Sequence, residues 1–168
     1  MQMIAAVDRR WGIGHNGELL VRIPEDMRHF RRTTQGGVVV LGRRTLATFP
    51  GGRPLKDREN IVLSRDPALA VQGAAVCHSV EEALALVCRQ EAAGRRVFLI
   101  GGATIYRQFA PYCAGAILTE LDGEFPADCF FPDLAALGWR RVEVLGRGSH
   151  EGLGYAFVRY ENPQAVEY

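Results

Sequence analysis

The stretch Val97-Phe98-Leu99-Ile100-Gly101-Gly102-Ala103-Thr104-Ile105-Tyr106 passes from an apolar run through two glycines into a segment of helical character. An apolar run without polar alternation describes a strand buried on both faces, as in a parallel sheet covered by helices. Consecutive glycines at the junction accept dihedrals closed to other residues and let the backbone approach a ligand. The helix that follows presents its free N–H groups to an anion. A Gly-Gly turn also occurs in other settings, so its meaning depends on what surrounds it.

Outward from this stretch the same pattern recurs. Further β-rich runs lie at 3–7, 38–41, 61–63, 75–77 and 116–119, and helical segments at 25–34, after Arg43, at 80–93 and at 104–109. This alternation predicts a largely parallel sheet with right-handed crossovers. Ser79 is the expected N-cap of the third helix, Ala83, Leu84, Val87 and Cys88 its buried stripe, and Gly94 its stop. Past Gly138 two alternating strands, 140–145 and 155–160, flank a Gly-rich turn over 146–154 and predict an antiparallel hairpin at a sheet edge. No repeat or linker divides residues 1–168, which read as one α/β domain.

At 168 residues such a domain buries about two thirds of its unfolded surface. With 20 basic and 19 acidic residues the net charge is +1, which excludes the basic footprint of a nucleic-acid or membrane binder. Cys77, Cys88, Cys113 and Cys129 are widely spaced, form no C-x-x-C pair and have no histidine cluster nearby. They predict no metal site and read as reduced, mostly buried thiols. The first apolar run ends at Asp8-Arg9-Arg10 without a charged leader, and no run reaches membrane-spanning length, so a cytoplasmic location is expected.

The most informative acid lies in Ile23-Pro24-Glu25-Asp26-Met27-Arg28-His29-Phe30. Pro24 suits the first helical position, and Asp26 and Phe30, four residues apart, share a face that Met27 extends toward a core or ligand. An acid in a first turn is also explained by the helix dipole. Gly12-Ile13-Gly14-His15-Asn16-Gly17 spells a dinucleotide fingerprint, but no helix opens at its glycines and no ribose-binding acid follows at the required distance. It reads either as a mobile loop over a cleft or as an ordinary long turn. At two strand ends, Gly42-Arg43-Arg44-Thr45 and Ser64-Arg65 combine cations with hydroxyls, where open α/β sheets bind ligands. A phosphate-bearing cofactor fits there, NADP better than NAD; solvated loop arginines are the other explanation.

Together and in this order, the segments Ala5-Ala6-Val7-Asp8, Ile13-Gly14, Ile23-Pro24-Glu25-Asp26-Met27-x-x-Phe30, Val40-Leu41-Gly42-Arg43-x-Thr45, Pro54-Leu55-x-x-Arg58-x-Asn60-Ile61-Val62-Leu63-Ser64, Ile100-Gly101-Gly102-x-x-Ile105-Tyr106 and Phe131-Pro132 resemble the dihydrofolate reductase family of the bacterial chromosomal type. The resemblance covers nearly the whole chain. It implies a mostly parallel eight-stranded central sheet, about four flanking helices and a C-terminal antiparallel hairpin. It also implies NADPH-dependent reduction of dihydrofolate, with hydride transfer to C6 and protonation of N5 through water, in a monomer. Tetrahydrofolate would supply one-carbon metabolism and thymidylate and purine synthesis, and antifolates would be inhibitors.

By the same resemblance Asp26 would grip the pterin, whose 2-amino group and N3–H form a donor fork suited to a carboxylate. Thr119 would support Asp26. Met27 and Phe30 would line the substrate pocket with Ile4, Ala5, Phe49, Leu55, Ile100 and Tyr106, and Arg58 would pair with the carboxylate of the glutamate tail. Around NADPH, Gly42, Arg43, Arg44, Thr45, Leu63, Ser64 and Arg65 would surround the adenosine end. His78 falls where the family often has a second adenosine contact, although a surface histidine after a strand explains it too. Gly101, Gly102 and Ala103 would hold the pyrophosphate, with a cis bond at Gly101-Gly102, and Ile100, Thr104, Ile105 and Gln108 would also contact the cofactor. Ala6, Ile13, Gly14 and Tyr106 would flank the nicotinamide, and Gly17 and Leu19 would also contact the cofactor.

Two departures stand out. Leu20-Val21 replaces the Pro-Trp pair of well-studied bacterial relatives, removing the indole and its water contact, and Thr104 replaces an arginine that some relatives use for the 2′-phosphate. Arg65 is the expected substitute. A riboflavin-pathway reductase of the same fold is a rival reading, opposed by Asp26 with Arg58; a non-catalytic NADP-binding sensor would have no use for Asp26, Phe30 and Arg58 together.

Overall fold

A strand apolar along its whole length is stable only if both faces and both edges are covered, and the central runs of this chain achieve that. In the computed structural model, which describes residues 1–168, the elements are β1 (Gln2–Val7), β2 (Gly12–His15), β3 (Glu18–Leu19), α1 (Pro24–Thr34), β4 (Val38–Gly42), α2 (Arg43–Ala47), β5 (Glu59–Leu63), β6 (Ala74–Cys77), α3 (Val80–Ala92), β7 (Val97–Gly101), α4 (Ala103–Phe109), β8 (Gly115–Leu121), β9 (Cys129–Phe130), β10 (Arg140–His150) and β11 (Leu153–Glu161). The main sheet has eight strands in the order β10-β11-β8-β1-β7-β4-β5-β6. Only β10 and β11 run antiparallel to their neighbours, as the C-terminal pattern predicts. No helix is long and apolar enough to cross a membrane.

All five residues of β4 are buried, and they divide between two layers. Val38 and Val40 join a core of 24 buried residues with Met3, Leu99, Val87 and Phe109, whereas Val39 and Leu41 belong to a cluster of only 4 with Leu46 and Val62. One side of the sheet is thus thickly packed, and the other is left with a shallow apolar floor. At the end of β7 the register slips: Val40 faces Leu99 but Leu41 faces Gly101. Ile100 is the extra residue of this bulge, half-buried against the smaller cluster, and Gly101 at φ +131° occupies a conformation closed to L side chains. The Gly101-Gly102 bond is cis.

Three expectations are corrected. Residues 12–20 form neither a loop nor a long turn: β2 and β3 pair as a hairpin turning at Asn16-Gly17, and β2 also pairs with β9, giving a second, three-stranded sheet. Asn16 and Gly17 both have positive φ, 51° and 78°, as a two-residue hairpin turn demands. Nor is 146–154 a turn. β10 continues to His150 and the reversal is confined to Glu151-Gly152, because Gly148 leaves room for the Tyr155 ring, whose hydroxyl would lie 2.5 Å from a Cβ there. The thiols are not mostly buried: Cys77 and Cys113 are, Cys88 and Cys129 are exposed. On α3 the inward stripe is Ala83, Leu84 and Val87, and Cys88 lies past its edge.

β10 is an edge strand broken by irregularities between Arg141 and Glu143 and between Val144 and Gly146; at the opposite edge β6 spans only 4 residues. Where β1 ends, buried Asp8 accepts backbone N–H bonds from Arg10 at 2.9 Å, Gly12 at 2.8 Å and Phe125 at 3.0 Å, tying the two sheets together. Asp8→Ala strands these donors, so it should destabilise the fold by about 3 kcal/mol in urea unfolding monitored by circular dichroism.

Candidate active site

Helix α1 begins with Pro24 at its first position, and its first turn carries two acids that part company. Glu25 turns to the surface and takes Arg28 at 2.9 Å and Arg32 at 3.2 Å. Asp26 turns to the sheet, where Thr119, 2% exposed in mid-β8, donates its hydroxyl hydrogen to Oδ1 at 2.5 Å. The dipole explanation therefore suffices for Glu25 and leaves the inward course of Asp26 unexplained. Burial raises the pKa of Asp26 above the ordinary carboxylate value, against opposing pulls from the Thr119 hydrogen bond and from His29. A carboxylate in that setting has one oxygen engaged by a single hydroxyl and a surplus of acceptor capacity.

Around it the shallow floor supplies apolar surface. Phe49, Leu55 and Ile100 all pack, partly buried, against the smaller core cluster, and Phe30 is half-buried on α1. Ile4 is buried with its carbonyl accepting from the buried Tyr106 hydroxyl at 2.7 Å, and Ala5 beside it is half-buried. Met27 does not continue the buried face: it is 47% exposed and contributes nothing to the core. Arg58 donates to the Lys56 carbonyl at 2.8 Å and to Thr34 Oγ1 at 3.2 Å, and has no carboxylate partner in the protein. Burial, with Arg31 nearby, lowers its pKa from the usual arginine value.

At the carboxyl ends of β4 and β7 two helix starts come side by side. A Cβ on Gly42 would meet Ile105 at 3.0 Å, and one on Gly101 or Gly102 would lie 3.4 or 3.3 Å from Thr45 Oγ1. These glycines form a cradle between the amino ends of α2 and α4. Arg43 reaches Asp66 at 3.4 Å, whereas Arg44 and Arg65 are exposed without a carboxylate partner. Buried Leu63 and half-buried Ser64 lead into this corner, and His78 Nδ1 donates to the Ser64 carbonyl at 2.9 Å. Ala103 and Ile105 are half-buried, while Thr104 and Gln108 face solvent. Ala6 lies half-buried on β1, paired with Thr119. Ile13 and Gly14 sit on the small sheet, with Gly17 at its hairpin tip and Leu19 55% exposed beyond it.

A separate concavity of about 540 Å³, bordered by Val7, Trp11, Glu120, Arg141 and Tyr155, does not include Asp26. Its Arg141 is already matched to Glu120 at 2.9 Å. Sequence reasoning assigned no role to Asn60 or His29. Asn60 is buried and clamps the segment bearing Leu55 and Arg58, accepting from Leu55 N and donating to the Leu55 and Arg58 carbonyls at 3.0 and 3.1 Å. An asparagine beside Ile61-Val62-Leu63, inside the strand, is the available signal.

The dihydrofolate reductase family description matches residues 1–162. A type 3 dihydrofolate reductase of Salmonella typhimurium is 37% identical over 93% of each chain, and that of Neisseria gonorrhoeae is 37% identical over 94% of this chain and 95% of its own. Among solved structures, dihydrofolate reductase from Enterococcus faecalis complexed with NADP(H) and RAB-propyl superposes with a TM-score of 0.83 at 31% identity, over 95% of this chain and 94% of that one.

Because the folded protein raises the pKa of Asp26, its ionised form opposes folding at neutral pH, and that cost fades as the pH falls through the folded-state pKa. Asp26→Asn should therefore raise the melting temperature at pH 7 and lose this advantage in acid, as scanning calorimetry at several pH values will show.

Proposed function

Because the chain belongs to the dihydrofolate reductase family and carries out NADPH-dependent reduction of dihydrofolate, we propose that Asp26 is the acid that grips and polarises the pterin. The observation carrying this reading is one inward carboxylate, engaged by Thr119 alone, one helical turn before half-buried Phe30 and on the sheet face against which Phe49, Leu55 and Ile100 pack. Its two oxygens match the planar fork of the pterin 2-amino group and N3–H, and hydrogen bonds to an ionised partner are worth about 1.5–3 kcal/mol each. Arg58, without a protein carboxylate, takes the carboxylate of the glutamate tail.

The glycine cradle fits a phosphate-bearing cofactor, because side chains at Gly42, Gly101 or Gly102 would crowd Ile105 or Thr45. Backbone N–H groups at the starts of α2 and α4 with Thr45 would hold the pyrophosphate, and Arg43, Arg44, Ser64 and Arg65 the phosphorylated adenosine. When bound, NADPH supplies the hydride, from nicotinamide C4 to pterin C6. N5 takes its proton from ordered water, and Asp26 assists by orienting and polarising the ring. The β2–β3 hairpin, with Ile13 and Gly14, closes the nicotinamide end and limits bulk water. Inhibition by antifolates, a monomeric state and a cytoplasmic location accompany this reading; gel filtration checks the second.

Mixing the protein with NADPH and dihydrofolate and following cofactor absorbance tests the assignment. Asp26→Asn should lower turnover at neutral pH by about 100-fold or more, the scale of a positioned acid–base group. Full retention would remove Asp26 from the chemistry, and NADPH binding without turnover would favour a sensor. Arg58→Leu should raise KM for dihydrofolate by about 10-fold or more with little change in kcat, as loss of one charge-assisted contact implies. NADPH should be used more efficiently than NADH; equal kcat/KM for the two would remove Arg44 and Arg65 from 2′-phosphate recognition.

A further inference from the structure

His29 is three residues beyond Asp26 on α1, the spacing that makes helix neighbours. Its ring stacks on Phe157 with centroids 4.0 Å apart and planes 24° from parallel. Phe157 is the register partner of Thr119, which donates to Asp26. The four residues close a circuit: α1 carries the imidazole and the carboxylate, and adjacent strands β8 and β11 hold one against a ring and the other against a hydroxyl. Within this circuit His29 Nε2 is buried and has no hydrogen-bond partner. A buried nitrogen left so costs about 1–3 kcal/mol and calls for an explanation.

The stack alone would be served at least as well by phenylalanine, which carries no orphaned nitrogen. The imidazole adds the capacity to take up a proton next to the carboxylate. Burial depresses the His29 pKa while Asp26 raises it, and His29 in turn opposes protonation of Asp26. The other charges reaching the ring are on its own helix, Glu25 and Arg32, and these are joined to each other at 3.2 Å. From β11, the side of the strand that carries Phe157 also bears Tyr155 and Arg159, and Arg159 is committed to Glu143 at 3.1 Å and Glu161 at 2.9 Å. From β8 the facing residue is Thr119, which does not titrate. Asp26 is thus the one inward-facing acid whose charge the imidazole can meet.

We propose that His29 is a positioning residue of the reaction, held on Phe157 so that it and Asp26 take up protons as a coupled pair and the carboxylate stays ionised further into acid than it would alone. A proton from solvent that enters the pair raises the cost of the second. The acid limit of activity therefore belongs to the pair. The inference rests on Asp26 being the acid of the site, but its first test needs no substrate.

That test is an NMR titration of the Asp26 carboxyl carbon in the free protein, for the native chain, His29→Phe and His29→Gln. The phenylalanine variant keeps the stack and the glutamine variant keeps a polar group, and neither can become charged. Both should move the Asp26 midpoint upward. Reciprocally, Asp26→Asn should move the His29 ring-proton midpoint downward, since a coupling free energy acts equally in both directions. The kcat/KM profile for dihydrofolate should shift its acid limb upward in both His29 variants. Superimposable Asp26 titrations in whichever variant folds would overturn the proposal and leave His29 a packing residue. Shifted titrations with an unmoved activity profile would overturn its bearing on catalysis. Neither result depends on the separate outcome of the Asp26→Asn turnover assay, so the two readings fail independently.

Discussion

The hydrogen bond from Thr119 to Asp26 fixes the geometry on which the site depends, because it ties the first turn of α1 to the middle of the main sheet. A carboxylate on a helix start would ordinarily turn to water, as Glu25 does one residue earlier. Seating it against β8 turns the helix face shared with half-buried Phe30 toward the sheet and leaves the carboxylate with unused acceptor capacity. Packing alone would not choose this placement, since the acid is destabilised by its surroundings. Stability is sacrificed locally, and the deep core on the other side of the sheet supplies the compensation.

The division of β4 into two unequal layers distinguishes the side of the sheet on which the site lies. Only Val39, Leu41, Leu46 and Val62 form the buried heart of the thinner layer, and half-buried Phe49, Leu55 and Ile100 pack against it. By strand alternation Thr119, and Asp26 bonded to it, lie on the same side of the sheet as that layer, opposite Leu118 of the deep core. Asn60 and Asp8 do similar work at two corners, each using one buried side chain to satisfy several backbone groups.

How far these features could be read from the sequence follows the physics of each. The six continuous apolar runs became strands because full burial leaves a sequence little freedom, and the Gly101-Gly102 junction was visible for the same reason. The β2–β3 hairpin is hard to read because its strands are only four and two residues long and two of the four in β2 are glycine, so Asn16-Gly17 has no apolar alternation beside it, and the pairing with β9 depends on a segment more than a hundred residues away. Glycines at 146 and 148 imitated a turn, although Gly148 is explained by the ring of Tyr155 across the strand. Met27 was assigned inward from helical spacing, but spacing shows which residues share a face and not how far that face is covered. His29 gave no signal of its own, since its interest lies in Phe157, reached only through the sheet.

The two ends of the main sheet carry one more consequence. Val142, Val144 and Leu145 are exposed on β10, an outermost strand whose free N–H and C=O groups would invite another chain to pair with it. The two irregularities in that strand break the evenly spaced ladder a newcomer would need, and Arg140, Arg141 and Glu143 place charge along it. At the far side β6 is too short to template anything. The sheet is thereby protected against edge-to-edge aggregation, and the irregular backbone of β10 contributes to solubility as well as to the shape of the fold.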